Sequence, residues 1–407
     1  MNFIDGGVTS PKGFSAANCN AKIKYMNRDD MAMIFCEVPC DVAGTFTKNV
    51  VKAAPVLWDK SVCTKEKKAQ AVVINAGIAN ACTGEEGLSY CKKTADKCAN
   101  VLSVDPNQVL VASTGVIGMQ LPMDCIENGI EMMAKTLSSN RQAGKMASKA
   151  IMTTDTKNKE VAVEVKIGGK TVTIGGMCKG SGMIHPNMCT MLSFVTTDVS
   201  ITPELLQDAL SWVVEDTYNM ISVDGDTSTN DTCLVLASGL ANNPKITEKN
   251  EDYDTFVKAL FEANKVLAMK MAGDGEGATA LFEVKVEHAS SKEEAKILAK
   301  SVVTSSLTKA AIYGHDANWG RILCALGYSG VSFDPEKVDL YFESEGGKLQ
   351  IAKNGVSTGY SEEEATKILS FDKVTAICDM HQKDASATAW GCDLTHEYVS
   401  INADYRS

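Results

Sequence analysis

A glycine-dense run near the middle of the chain carries several side chains that could act as nucleophiles. From Lys179 to Leu192 the sequence is KGSGMIHPNMCTML. Ser181 does not fit a nucleophile elbow, because Gly-x-Ser-x-Gly needs a glycine where Lys179 stands. His185 before a proline is typical of a structural histidine, and Thr190 at the head of an apolar run is typical of a β-branched strand residue. Residue types alone therefore leave catalytic, binding and structural roles open.

Apolar periodicity predicts the elements that position this run. Buried strands are expected at 71–75 and 109–112, each ending in a glycine-containing loop, and helices at 85–102 and 122–138. Alternating residues at 161–174 around Gly168-Gly169 predict a β-hairpin. Strands interleaved with helices indicate an α/β layered sandwich.

Start signals mark further helices and exclude one kind of loop. Pro203 opens a predicted helix, and Ser291 with Glu294, like Ser361 with Glu364, has capping-box spacing. Gly169-Lys170-Thr171 is not a phosphate loop, because the required glycine five residues earlier is Glu164. These signals give no support to nucleotide binding.

Composition limits the classes of function. The net charge of -11 over 407 residues argues against a nucleic-acid partner. No run approaches the roughly 20 apolar residues of a membrane span, and 1–7 is not a signal peptide, so the cytoplasm is the expected compartment. The 14 cysteines lack Cys-x-x-Cys spacing, which favours core thiols over a metal site.

The central run closely resembles the ornithine acetyltransferase signature K-G-S-G-M-I-x-P-N-M-A-T-M-L. Other stretches resemble motifs of that family in the family's order: INAGIANACTG (74–84), VASTGVIG (111–118), IMTTDT (151–156), SVDGDTSTNDT (222–232), GDGEGAT (273–279), NWGRI (318–322) and EYVSINADYRS (397–407). The resemblance covers nearly the whole chain. Three positions differ from the usual pattern: Cys189 for alanine, Ala317 for proline and Ser407 for threonine.

The resemblance implies a self-cleaving N-terminal-threonine acyltransferase. Thr190 would attack the carbonyl of Cys189, giving an alpha fragment of residues 1–189 and a beta fragment of residues 190–407 that stay interleaved and assemble as a heterotetramer of two of each. The new α-amino group of Thr190, with an ordinary pKa of about 7.7–8.0, would serve as the base for the hydroxyl of the same residue.

Family resemblance also assigns the remaining site residues. Thr114 and Gly115 would form the oxyanion hole in a loop directly after a strand, and Lys179 with Thr153 would hold the substrate carboxylate or acetyl group, Thr154 being an alternative to Thr153. Glu276 would pair with an ammonium, and Asn402 and Ser407 would complete the substrate site.

The implied reaction is ping-pong acetyl transfer from N2-acetylornithine to glutamate, as in arginine biosynthesis, with no cofactor. Acetyl-CoA stays open as a second donor, and without a phosphate loop or basic cluster we expect it to be the poorer one. A self-processing amidohydrolase or aminopeptidase of similar fold is the alternative enzyme. A non-catalytic, uncut ligand-binding protein is the alternative outside enzymes.

Overall fold

The computed structural model describes residues 1–185 and 191–404. They form two compact units, and the chain passes between them several times. The described residues of the first unit are 1–180, 191–219 and 227–267, and those of the second are 181–185, 220–226 and 268–404. The predicted fragment boundary, between Cys189 and Thr190, lies outside the described residues.

The first unit is built on a large mixed sheet. Its strands are β1 (Asn2–Ile4), β2 (Phe14–Cys19), β3 (Met31–Phe46), β4 (Lys68–Ile78), β5 (Val109–Val116), β6 (Lys159–Ile167), β7 (Lys170–Lys179), β8 (Leu192–Thr197) and β9 (Thr232–Ala237). The sheet order is β1-β6-β7-β8-β9-β3-β4-β5, with β2 paired to β3. β4 with β5 and β8 with β9 are parallel pairs.

Helices surround this sheet. They are α1 (Ala54–Ser61), followed by a π-helical turn (Val62–Glu66), α2 (Glu86–Leu102), α3 (Met123–Ala134), α4 (Arg141–Ala150), α5 (Pro203–Glu215) and α6 (Glu251–Ala272). The first unit ends at Leu267, within α6.

Alternating residues of β4 and β5 belong to two separate hydrophobic clusters. Val72 and Leu110 pack with residues of α4, whereas Val73 and Val111 pack with residues of α2 and α3. A strand buried on both faces shows a continuous apolar run, which is why 71–75 and 109–112 are apolar throughout. The predicted α/β class is confirmed.

The second unit contains a smaller sheet with its own helices. Its strands are β10 (Leu281–Ala289), β11 (Asp339–Ser344), β12 (Gly347–Lys353), β13 (Val356–Ser357), β14 (Lys373–Asp379) and β15 (Ala385–Cys392), in the order β13-β12-β11-β14-β10-β15. Its helices are α7 (Lys292–Thr304), α8 (Ser306–Tyr313), α9 (Trp319–Gly327), α10 (Glu362–Leu369) and α11 (His396–Ala403).

Most local predictions are confirmed. The hairpin β6–β7 turns at Gly168 (φ +52°) and Gly169 (φ +77°), and two successive positive φ values are what a primed turn demands. Ser291 and Ser361 accept hydrogen bonds from the amides of Glu294 and Glu364 at 3.2 and 3.3 Å.

Three predicted boundaries are wrong. β4 continues past Asn75 through Gly77 to Ile78, so Gly77 lies in the strand and not in a loop after it. The helix expected to reach residue 138 ends at Ala134, because Ser138 exchanges backbone hydrogen bonds with Ala16 on β2 and is therefore extended. β5 continues through Thr114 and Gly115 to Val116, so these two residues lie in the strand rather than in a loop after it. The strand continues because Ala76 and Gly77 of β4 pair with them.

Candidate active site

The end of β5 is shaped by a close approach of two glycines. Gly115 pairs with Gly77 of β4, and both have positive φ values, +128° and +105°. A Cβ atom on Gly115 would lie 2.2 Å from the Gly77 carbonyl carbon, so no side chain fits. The ladder is irregular at this point, because Ile78 pairs with both Thr114 and Val116. Such irregularities redirect side chains beside functional sites, and here the residue concerned is Thr114.

Two buried asparagines fix the backbone before Thr114. Asn230 donates from Nδ2 to the carbonyls of Ser113 and Ala79, at 2.8 and 2.6 Å. The hydroxyl of Ser113 donates to Oδ1 of Asn75 at 2.6 Å. Because these bonds are inside the protein, the backbone position directly before Thr114 is set by the fold and not by solvent.

Lys179, the last residue of β7, brings two of the predicted threonines together. Its side chain is buried, and its Nζ donates to Oγ1 of Thr153 at 2.8 Å and to Oγ1 of Thr114 at 3.3 Å. An ammonium has only donors, so both hydroxyls accept in these bonds and each can donate its own hydrogen to another oxygen. The contact favours Thr153 over Thr154 as the substrate-site threonine.

Asp155 is the buried counter-charge of this cluster, and the sequence prediction missed it. Its carboxylate accepts from Nζ of Lys159 at 2.6 Å and from the amides of Gly180 and Thr153 at 2.7 and 3.0 Å, and Nζ of Lys179 is 3.9 Å away. Burial acts to raise the pKa of this carboxyl, but the charges of Lys179 and Lys159 and the hydrogen bonds outweigh it and hold the pKa well below its ordinary value. Asp155 is therefore ionised, with two cations beside it.

A signal for Asp155 was present in the sequence. It lies inside the IMTTDT stretch, directly after the two threonines under consideration, and Lys159 follows four residues later. What the sequence could not give is burial: the side chains of Asp155 and Lys159 are 0% and 1% exposed.

In the second unit, the predicted residues Glu276 and Asn402 are in contact. Asn402 on α11 donates from Nδ2 to Oε2 of Glu276 at 2.7 Å, and the Glu276 amide donates to the carbonyl of Ser181 at 2.9 Å. Gly182 makes room for the carboxylate, since a Cβ there would lie 2.3 Å from the Glu276 carboxyl carbon. Glu276 is a buried acceptor whose partner is a neutral amide.

Three predicted residues, Cys189, Thr190 and Ser407, lie outside the described residues. Within residues 1–185 and 191–404, no group of three or more potential ligands could hold a metal ion. Ten of the 13 cysteines in those ranges are buried thiols. No described helix is both long and apolar enough to cross a membrane.

Known proteins match this chain over almost its full length. It is 50% identical over 398 residues to the arginine biosynthesis bifunctional protein ArgJ of Thermotoga neapolitana, covering 98% of this chain and 99% of that one. It is 49% identical over 407 residues to the protein of the same name from Caldanaerobacter subterraneus subsp. tengcongensis, covering all of both chains.

A solved structure and a family model agree with these relatives. The crystal structure of ArgJ from Bacillus halodurans is 49% identical with a TM-score of 0.50, and the match covers 52% of this chain and 97% of that one. The model of the ArgJ family matches residues 15–407. The chain therefore belongs to the ArgJ family.

Proposed function

We propose that this chain is a glutamate N-acetyltransferase that moves the acetyl group of N2-acetylornithine to glutamate through an acetyl-Thr190 intermediate. Its relatives are named arginine biosynthesis bifunctional proteins. The observation that carries the proposal is the contact of Lys179 with the hydroxyls of Thr114 and Thr153.

The first step is self-cleavage before Thr190. Its hydroxyl oxygen attacks the carbonyl carbon of Cys189, the C–N bond breaks as the C–O bond of an ester forms, and the hydroxyl proton goes to the nitrogen. Water then hydrolyses the ester, leaving the Cys189 carboxylate and a free Thr190 with both hydroxyl and amino group. The length of the Bacillus halodurans chain supports such a cut, because that chain matches along 97% of its length yet covers only 52% of this one.

Acetyl transfer then uses the new terminus. The Thr190 amine takes the hydroxyl proton, the oxygen attacks the acetyl carbonyl of acetylornithine, and ornithine leaves with its amine protonated from that group. The amine of glutamate next attacks the ester, which releases N-acetylglutamate and restores Thr190. Each attack creates an oxyanion that needs a donor already in place.

Thr114 is suited to supply that donor. Its hydroxyl accepts from a buried ammonium, and a hydroxyl polarised by a cation is a stronger donor through its own hydrogen. Gly115 would supply the accompanying backbone amide. Asp155 keeps Lys179 in place without quenching its charge, since a second cation, Lys159, shares the same carboxylate.

The other assigned residues suit a small zwitterionic amino acid. The Lys179 ammonium and the Thr153 hydroxyl are donors for a carboxylate or an acetyl oxygen. Glu276 is an acceptor for an ammonium, with Asn402 orienting its carboxylate and Ser407 offering a further hydroxyl. We place the reaction in the cytoplasm and the enzyme in a heterotetramer of two alpha and two beta fragments, as the family resemblance implies.

Acetyl-CoA is a second donor to be tested, because the relatives are named bifunctional. We predict that acetylglutamate forms faster from N2-acetylornithine than from acetyl-CoA at matched concentrations, since no phosphate loop is found in the sequence. Equal rates would show that both donors are served equally well.

Intact mass and amino-terminal sequencing test the cleavage. We expect fragments of residues 1–189 and 190–407, and one uncut, inactive chain for Thr190→Ala. With acetylornithine and no glutamate, the fragment beginning at Thr190 should gain the mass of one acetyl group. A fully active single chain contradicts the proposal, and acetate release at the same rate with and without glutamate would favour an amidohydrolase.

A further inference from the structure

Residues 183–185, which we call the stem, precede the proposed cut. They are bound by residues 221–226, a short loop of the same unit. The amides of Met183 and Ile184 donate to the two carboxylate oxygens of Asp224, at 2.6 and 2.9 Å. The Val223 amide donates to the carbonyl of Ile184 at 2.7 Å, and Nδ1 of His185 is 3.1 Å from Oγ of Ser222. Three consecutive residues are thus held by three others.

The conformation of Met183 shows why the bonds matter. Its φ of +55° lies in the left-handed region, which is strained for a residue with a side chain. Packing does not compensate, because 43% of Met183 is exposed. Strained residues persist only where their surroundings fix them, and here the fixing contacts are the hydrogen bonds to Asp224.

The loop itself is anchored to other elements of the second unit. Its Ile221 carbonyl accepts from Nζ of Lys300 at 2.9 Å, and its Ser222 amide donates to the carbonyl of Trp390 at 2.9 Å. The Val223 carbonyl accepts from the buried Nζ of Lys309. Because three successive loop residues are tied to surrounding elements, the loop is a fixed support and not a mobile flap.

His185 is suited to a neutral contact with this loop. Burial and, secondly, the charge of Lys300 lower its pKa to about 4. At neutral pH the imidazole therefore carries one hydrogen and one lone pair, and its Nδ1 can pair with the Ser222 hydroxyl without a buried charge.

We infer that Asp224, helped by Ser222, is a positioning residue for self-cleavage, holding the stem so that the Cys189 carbonyl can be presented to the Thr190 hydroxyl. The inference rests on the proposed cleavage before Thr190. Intramolecular attack requires the reacting atoms to be held near contact, and each backbone residue that must first be ordered slows it. The hydrogen bonds that fix residues 183–185 therefore lower the ordering cost of the approach to the cut.

The test follows cleavage of newly made protein. Full-length chain is synthesised in a cell-free system, synthesis is stopped, and conversion to two fragments is timed on denaturing gels. We expect Asp224→Asn to slow conversion at least tenfold, since an amide offers one acceptor oxygen where two amides must be bound. Asp226→Asn removes the same charge from the same loop, keeps both bonds of Asp224, and should stay within twofold of wild type.

Two further measurements separate positioning from folding and from later chemistry. Asp224→Asn in an uncut Thr190→Ala background gives the folded fraction at the assay temperature, and rates are compared per folded molecule. Hydroxylamine at neutral pH cleaves an ester but not an amide, so it should fail to speed the cutting of Asp224→Asn if attack is the slowed step.

The outcomes are distinguishable. If wild-type chain stays uncut, the proposed function fails. If wild type is cut and Asp224→Asn is cut equally fast per folded molecule, or reaches the wild-type rate with hydroxylamine, only the positioning role is overturned.

Discussion

The two groups of predicted site residues are held by different kinds of chemistry. In the first unit, Lys179 is buried with a second cation around the ionised Asp155. In the second unit, Glu276 is paired with a neutral amide from α11, a short helix close to the end of the described chain. A buried ionic cluster fixes its members in one arrangement, because each loses much if its partner moves, whereas a neutral amide orients a carboxylate without neutralising its charge, which stays available to a cationic ligand. The first group is suited to stabilising a transition state, and the second to binding.

The largest effect is expected from removing Asp155, which tests whether the first group depends on its buried counter-charge. Asp155→Ala leaves Lys159 and Lys179 without their buried counter-charge, and we expect it to lower the free energy of unfolding by about 3–5 kcal/mol. Urea unfolding of the uncut Thr190→Ala background measures this. Asp96→Ala removes the partner of Lys92 in an exposed pair and should cost less than about 1 kcal/mol. Equal losses would mean that the cluster has no special structural role.

Unfolding by acid should also depend on Asp155. Because the pKa of folded Asp155 is depressed, its stabilisation is complete above the unfolded value of about 3.9 and is lost as pH falls further toward the folded value. The pH dependence of unfolding below about 4 should therefore be shallower in Asp155→Ala than in the parent chain.

Thr114 tests whether the first group acts on the transition state. Thr114→Ala should lower kcat by roughly a hundredfold or more, as the loss of one oxyanion donor typically does, while Thr114→Ser retains the hydroxyl and most of the rate. Steady-state kinetics of cut enzyme with both substrates gives the answer. A hundredfold rise in KM at unchanged kcat would instead assign Thr114 to ground-state binding.

Asn402 tests the second group. Asn402→Ala should raise KM by about tenfold with a smaller change in kcat, because a hydrogen bond to a charged group contributes about 1.5–3 kcal/mol and the interaction is present before and during reaction. Ser400→Ala, which removes an exposed hydroxyl that donates to the helix backbone of α11, is the matched control. If kcat falls and KM does not change, the two groups are alike and the comparison fails.

The smallest expected effect is electrostatic and lies at the surface of the second unit. Asp379 accepts from Nδ1 of His288 at 2.9 Å, and this hydrogen bond and the aspartate charge raise the pKa of the imidazole. The resulting stabilisation is present below the unfolded pKa of about 6.5 and is lost as pH rises through the folded value. Thermal midpoints of wild type and His288→Gln should differ at pH 6 and converge at higher pH. A constant difference would point to packing.

The sequence was most informative where structure is set by neighbouring residues. The Gly168-Gly169 turn, the serine caps at 291 and 361, and the strands 71–75 and 109–112 depend on local conformation and on burial of a continuous apolar run. Thr114 and Gly115 were placed in a loop because the sequence does not show that Gly77 lies opposite Gly115. The pairing of Ala76 and Gly77 with residues 38 positions later explains why β5 extends that far.

The surroundings of the candidate site could be predicted only in part, for a similar reason. Family resemblance predicts Thr153, Lys179, Glu276 and Asn402 as site residues, and the structure shows that Lys179 contacts Thr153 and that Asn402 contacts Glu276. Asp155 and Lys159 were missed because charge alone cannot distinguish a buried ion pair from a solvated one. The burial that gives these two residues their importance comes from packing between distant segments.

The order of strands in the large sheet has a consequence for a chain cut before Thr190. β8 and β9 follow the cut, yet they lie between β7 and β3, which precede it. Neither piece can complete that sheet alone, so the separated pieces would regain their structure only by meeting each other. Refolding after complete denaturation then becomes a second-order process, and its yield rises with protein concentration. The midpoint of unfolding depends on protein concentration for the same reason.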